Sequence, residues 1–68
     1  MEIQPHQQRV IDEKQELDLK LSNLLDFTNT NPIFETLPTD EKGRLLEQRR
    51  IMREYSQILG ERIKAFTS

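Results

Sequence analysis

Residues 28–43, TNTNPIFETLPTDEKG, decide the fold. The stretch holds two of the three prolines, a Thr/Asn run and the first of the two glycines. These residues favour turns because Asn and Thr bond their own backbone and Pro fixes φ. Within it Asn31-Pro32 reads as a cap followed by a single helical turn. Ile33, Phe34 and Leu37 are expected to plug the end of a hairpin. The regular pattern breaks here and nowhere else, so the sequence predicts two long helices joined by one connection.

On the N-terminal side, Pro5 suits a first helical position. Ile3, Val10, Leu17 and Leu24 recur every seven residues, and Leu21 and Leu25 widen the stripe. On the C-terminal side, Thr39 reads as an N-cap, and Asp40 and Glu41 suit the positive end of the helix dipole. Leu45, Met52, Leu59 and Phe66 repeat the seven-residue spacing, and Glu47, Glu54 and Glu61 share it on the outer face. The expected architecture is all-α: one domain over residues 1–68, with a helix over 5–27, a connection over 28–38 containing a short helical turn, and a helix over 39–66. The two helices form an antiparallel hairpin. Gly60, inside the second helix, is read as a place where another backbone or a ligand comes close.

Composition narrows the classes. A chain of 68 residues makes one small domain. With no Cys and one His it has neither a disulfide framework nor the donors of a structural zinc site. No apolar run approaches the roughly 20 residues of a membrane span. The N-terminus lacks a secretory signal pattern. The expectation is a soluble protein of the cytoplasm. A net charge of −2 argues against a general nucleic-acid binder, although charge is uneven: three bases and six acids before Glu35, seven bases and six acids from Glu35 onward.

Hydrophobic content is 34%, low for a self-sufficient core. Ile11 and Leu19 lie off the main stripe of the first helix, and Leu46, Ile51 and Ile58 off that of the second. A lone hairpin would expose them. The expected outcome is a homo-oligomeric helical bundle, as dimers or larger rings.

Polar residues also fall on or near the apolar stripes. With the hairpin turning near Phe34, Leu24 is expected opposite Leu45, Leu17 opposite Met52, Lys14 opposite Tyr55, Val10 opposite Leu59, and His6 opposite Ile63 with Arg62 beside it. Lys14 places a charge in the stripe, Tyr55 offers a ring face for stacking, and His6, Gln7, Arg9 and Arg62 add polar and phosphate-binding groups. Together they describe a nucleotide site. The plainer alternative lays the Lys14 stem along apolar surface with its ammonium in water, and leaves Tyr55 a core ring with a solvated hydroxyl. Arg49 and Arg53, one turn apart, form a second candidate, either clamping an anion or meeting acids of a neighbouring protomer. No nucleophile–base pattern, phosphate loop or paired-carboxylate cleft is evident, so neither an enzyme nor a cofactor is expected.

The runs PHQQRVIDEKQELDLKL, PIFETLP and YSQILGERIKAF, taken in order, resemble a widespread group of short phage and prophage proteins known as crAss-phage-related proteins of unknown function. That resemblance spans Pro5 to Phe66 and implies no activity. In size, helical content and expected oligomerisation the chain is also similar to the anti-CBASS and anti-Thoeris sponges. These are small phage proteins that hold cyclic nucleotides or cyclic ADP-ribose derivatives between protomers without cleaving them. This second likeness is architectural and carries no contact residue across. It implies a phage protein, acting in the cytoplasm of an infected bacterium, that sequesters a nucleotide second messenger. The alternative is an inhibitor or adaptor that docks on a host or phage protein through Leu46, Ile51 and Ile58. A third reading is a structural or regulatory oligomer with weak nucleic-acid affinity from the arginines.

Overall fold

A computed structural model describes residues 2–67, with the side chain of Thr67 left aside. The chain is helical almost throughout: α1 (Pro5–Thr30), α2 (Pro32–Thr36), α3 (Thr39–Lys64) and a closing 3-10 turn (Ala65–Thr67). α1 and α3 pack against each other as a hairpin, and α2 sits in the connection. None of the helices among the described residues is long and apolar enough to cross a membrane.

Local chemistry sets each boundary. α1 opens with Pro5 at its first position, where the missing N–H costs nothing. The Gln4 N–H donates to Gln7 Oε1 at 2.9 Å. α1 then runs three residues past the expected end at Phe27. The Thr28 and Thr30 hydroxyls donate back to the carbonyls of Leu24 (2.9 Å) and Asp26 (2.7 Å). This back-bonding lets turn-forming residues continue a helix. The helix stops where it must. Asn31 is extended (φ −86°, ψ 120°) because Pro32 follows it.

Asn31 then caps α2, its Oδ1 accepting from the Ile33 N–H at 2.9 Å. Phe34 is buried and meets Phe27 edge-to-face, centroids 6.1 Å apart. Ile33 is exposed instead of joining that plug, because a single turn can turn only one side inward. Thr39 is not the N-cap of α3 but its first residue. The cap position falls to Pro38, whose carbonyl accepts from the Lys42 N–H at 3.0 Å. Pro38 holds the preceding Leu37 extended (φ −75°, ψ 153°), which delays the helix until Pro38 has passed.

The core is narrow. Val10 and Leu17 of α1 meet Leu59 of α3, which is fully buried, with Met52, Ile63 and Phe66 packed around them. Leu21 and Phe34 extend this seam toward the connection. The off-stripe side chains do remain outside: Leu19, Leu46, Ile51 and Ile58 are exposed, while Ile11 is half-buried.

Candidate functional site

One polar cluster is set into the seam. Lys14 of α1 sits in the apolar stripe three residues before Leu17, and its ammonium does not face Tyr55. It donates to Asp18 Oδ2 at 2.7 Å and to Ser56 Oγ at 3.0 Å. The Ser56 hydroxyl in turn donates to Asp18 Oδ1. The expected register is therefore shifted by a residue at this level. The reason is chemical: Ser56 supplies a hydrogen-bond acceptor for a half-buried ammonium, and the Tyr55 ring does not.

The cluster has a floor. A Cβ on Gly60, one turn beyond Ser56, would lie 3.4 Å from Lys14 Cε. What approaches Gly60 is the lysine stem. Lys14 and Asp18 side chains stay 30% and 44% exposed, so the ion pair is open on one side. Hydrogen bonds from Lys14 first and Ser56 second hold the Asp18 carboxyl below its ordinary 3.8. An open groove of about 500 Å³, lined by Gln57, Gly60, Glu61, Ile63 and Lys64, adjoins at Gly60.

The remaining sequence candidates do not converge on this cluster. Ser56 and Tyr55 lie three and four residues before Leu59, so they straddle its line on α3. Ser56 goes into the Lys14 side of the hairpin. Tyr55, 40% exposed, goes to the other. Arg62, seven residues after Tyr55, shares that flank and is exposed. Arg9 lies on the flank of α1 away from Lys14 and is exposed. His6 is exposed on the first turn, and Gln7 is used as a cap. One hairpin thus divides the six-residue set between two faces.

Arg49 and Arg53 also separate in role. Arg49 donates to Thr28 Oγ1 (2.9 Å) and Asn29 Oδ1 (3.0 Å), tying α3 to the end of α1. Arg53 stands exposed one turn before Ser56. Arg50 is engaged by Glu47 and Glu54 on the outer face, which lowers the Glu47 carboxyl and raises the Arg50 guanidinium from their ordinary values.

Asp18 and Ser56 are the site residues that sequence reading missed. The signal for Asp18 was its opposite charge four residues after Lys14. For Ser56 it was a small polar residue on the inner face, one turn from Gly60.

Fold and site together define a class: an all-helical hairpin with an ion-paired polar cluster let into its apolar seam. The chain belongs to the Sequestin family, whose model matches residues 4–65. Neither a curated protein nor a solved structure matches it. The family match carries no phage kinship of its own, so the phage origin implied by the three sequence runs belongs to the proposal that follows.

Proposed function

We propose that this chain is a non-enzymatic sequestering protein. It holds a nucleotide second messenger, of the cyclic oligonucleotide or cyclic ADP-ribose type, between protomers of a homo-oligomer. In this reading it serves a phage in the cytoplasm of an infected bacterium. The observation that carries the reading is membership of the Sequestin family along residues 4–65, a name that suggests a molecule is sequestered.

Two features of the hairpin support the finer form. The first is the ion-paired cluster at Lys14, where an ammonium and a hydroxyl lie side by side as donors of the kind a phosphate takes. The second is the separation of Lys14 from Tyr55. A pocket that uses both takes one from each of two copies. The exposed Ile51, Tyr55 and Ile58 give apolar surface for such a contact. Sequestration also asks nothing of the protein beyond affinity and copy number, which suits a chain that presents donors and a stacking ring.

The test is native mass spectrometry of the purified protein with a panel of cyclic di- and trinucleotides and cyclic ADP-ribose isomers. A discrete oligomer that gains ligand masses in fixed ratio is expected. Lys14→Ala is expected to abolish that gain and leave the oligomer intact, and Tyr55→Ala is expected to abolish the gain as well. A discrete oligomer that takes up none of the panel overturns the nucleotide reading. The exposure of Leu46, Ile51 and Ile58 favours a second reading, a protein-binding inhibitor or adaptor. It predicts a stable complex in a pull-down that small molecules do not disturb.

A further inference from the structure

The carboxylate of Asp18 occupies its site in a particular way. It spreads two oxygens over two different donors, Oδ2 on the Lys14 ammonium at 2.7 Å and Oδ1 on the Ser56 hydroxyl. The donors come from different helices and are themselves linked, Lys14 Nζ to Ser56 Oγ at 3.0 Å. Ser56 is buried, and the Lys14 stem is held against Gly60. The donor pair is therefore part of the scaffold, whereas Asp18 reaches it from the more exposed side.

A phosphate group presents the same feature: neighbouring anionic oxygens on one centre, each able to accept a charge-assisted hydrogen bond. The groove beginning at Gly60 leaves room for whatever the phosphate is attached to. Arg53 is exposed one turn before Ser56 on α3 and is a second cation on the same helix.

We propose that Lys14 and Ser56 form an oxyanion site whose resident occupant is Asp18, and that the phosphate of a ligand binds by displacing the Asp18 carboxylate into solvent. Asp18 is then a built-in competitor. It is tethered one helical turn from Lys14, so its effective concentration at the site is high. While it is there it also repels an incoming anion. The site needs its competitor for stability in the empty state, since an unpaired, half-buried ammonium is costly. The existence of the site stands on the geometry alone. That its ligand is a nucleotide rests on the sequestration reading above.

The experiment is isothermal titration of the full chain with inorganic pyrophosphate, for the wild type, Asp18→Asn, Lys14→Ala and the double variant. Asp18→Ala serves as a second form, because Asn can re-form neutral bonds to the same donors. Asp18 lies outside the apolar seam that holds the helices together, so both variants keep the hairpin, which circular dichroism checks. Removing the competing charge is expected to tighten pyrophosphate binding about tenfold. Lys14→Ala is expected to remove both the binding and the gain. No tightening in either Asp18 variant, a gain that survives Lys14→Ala, or no pyrophosphate binding to any of the proteins overturns the proposal. Repeating the titrations with the cyclic nucleotide panel separates the two readings. A pyrophosphate gain with no nucleotide retained by any variant removes the nucleotide reading and leaves the oxyanion site standing. Nucleotides bound equally by the wild type and both Asp18 variants remove the displacement and leave sequestration standing.

Discussion

Asp18 ties two helices through one carboxylate, and its ionisation is therefore linked to folding. Its pKa is lowered in the folded chain, by Lys14 first and Ser56 second. The stabilisation it gives is fully present above the ordinary value of 3.8 and is lost as pH falls through the folded value. Asp18→Asn is thus expected to lower the urea midpoint at about pH 7, and the gap from the wild type is expected to narrow as pH falls below the ordinary carboxylate value and through the lowered folded one. The effect is modest because nearly half of the side chain is in water and solvent screens the pair. A gap that does not narrow anywhere on the acid side would mean that the carboxylate's charge contributes nothing. Ser56→Ala removes the buried end of the same circuit. It removes two hydrogen bonds, from Lys14 and to Asp18, and is expected to cost about 1–3 kcal/mol at any pH where Asp18 is charged.

At the scale of the elements, α3 carries two glycines in different settings. Nothing lies within 4 Å of a Cβ added at Gly43, whereas at Gly60 it meets the Lys14 stem at 3.4 Å. Both sit in helical backbone without positive φ. Gly43→Ala should therefore gain the helix-propensity difference of roughly 0.5–1 kcal/mol, which raises Tm by about 2–8 °C in a chain of this size. Gly60→Ala has the same intrinsic gain but must settle against Lys14, so its melting temperature is expected to rise less. A thermal melt of the two variants that ranks Gly60→Ala first would show that Lys14 does not rest where it is described. The elements themselves were legible: seven-residue apolar spacing on both sides of one Pro-rich break points to two helices and a turn. Their ends were less so. The Thr28 and Thr30 back-bonds are side-chain choices that residue type alone does not settle, since the same threonines serve turns equally well. The site was half legible. Lys14 stood out as a charge in an apolar stripe, but its partner depended on a register one residue away from the expected one. One residue on a helix is a rotation of about 100°, enough to exchange Tyr55 for Ser56.

For the whole molecule, shape is the governing quantity. The hairpin measures 50 × 15 × 15 Å with a radius of gyration of 15.3 Å. A compact chain of this length would have a radius of gyration of about 11 Å. Two helices side by side have a seam but no interior, so each keeps an uncovered face. On α3 that face carries Ile51, Tyr55 and Ile58, spaced by four and three residues and 51%, 40% and 53% exposed. This is the spacing of a helix–helix seam, and covering it with a second copy would supply burial that the hairpin lacks. If the protein assembles this way, unfolding is linked to association, and stability rises with protein concentration. The urea midpoint is then expected to climb across a hundredfold concentration series, roughly from micromolar upward, and the scattering radius to exceed that of the single hairpin. An Ile51→Ser/Ile58→Ser variant should lose both effects and hold the midpoint of the dilute wild type, since neither side chain contributes to the buried seam. A concentration-independent midpoint with a scattering radius equal to that of the hairpin would leave the chain a monomer. Lys14 and Tyr55 would then have no common pocket, and the sequestered molecule would have to be held by the Lys14 face of one hairpin alone.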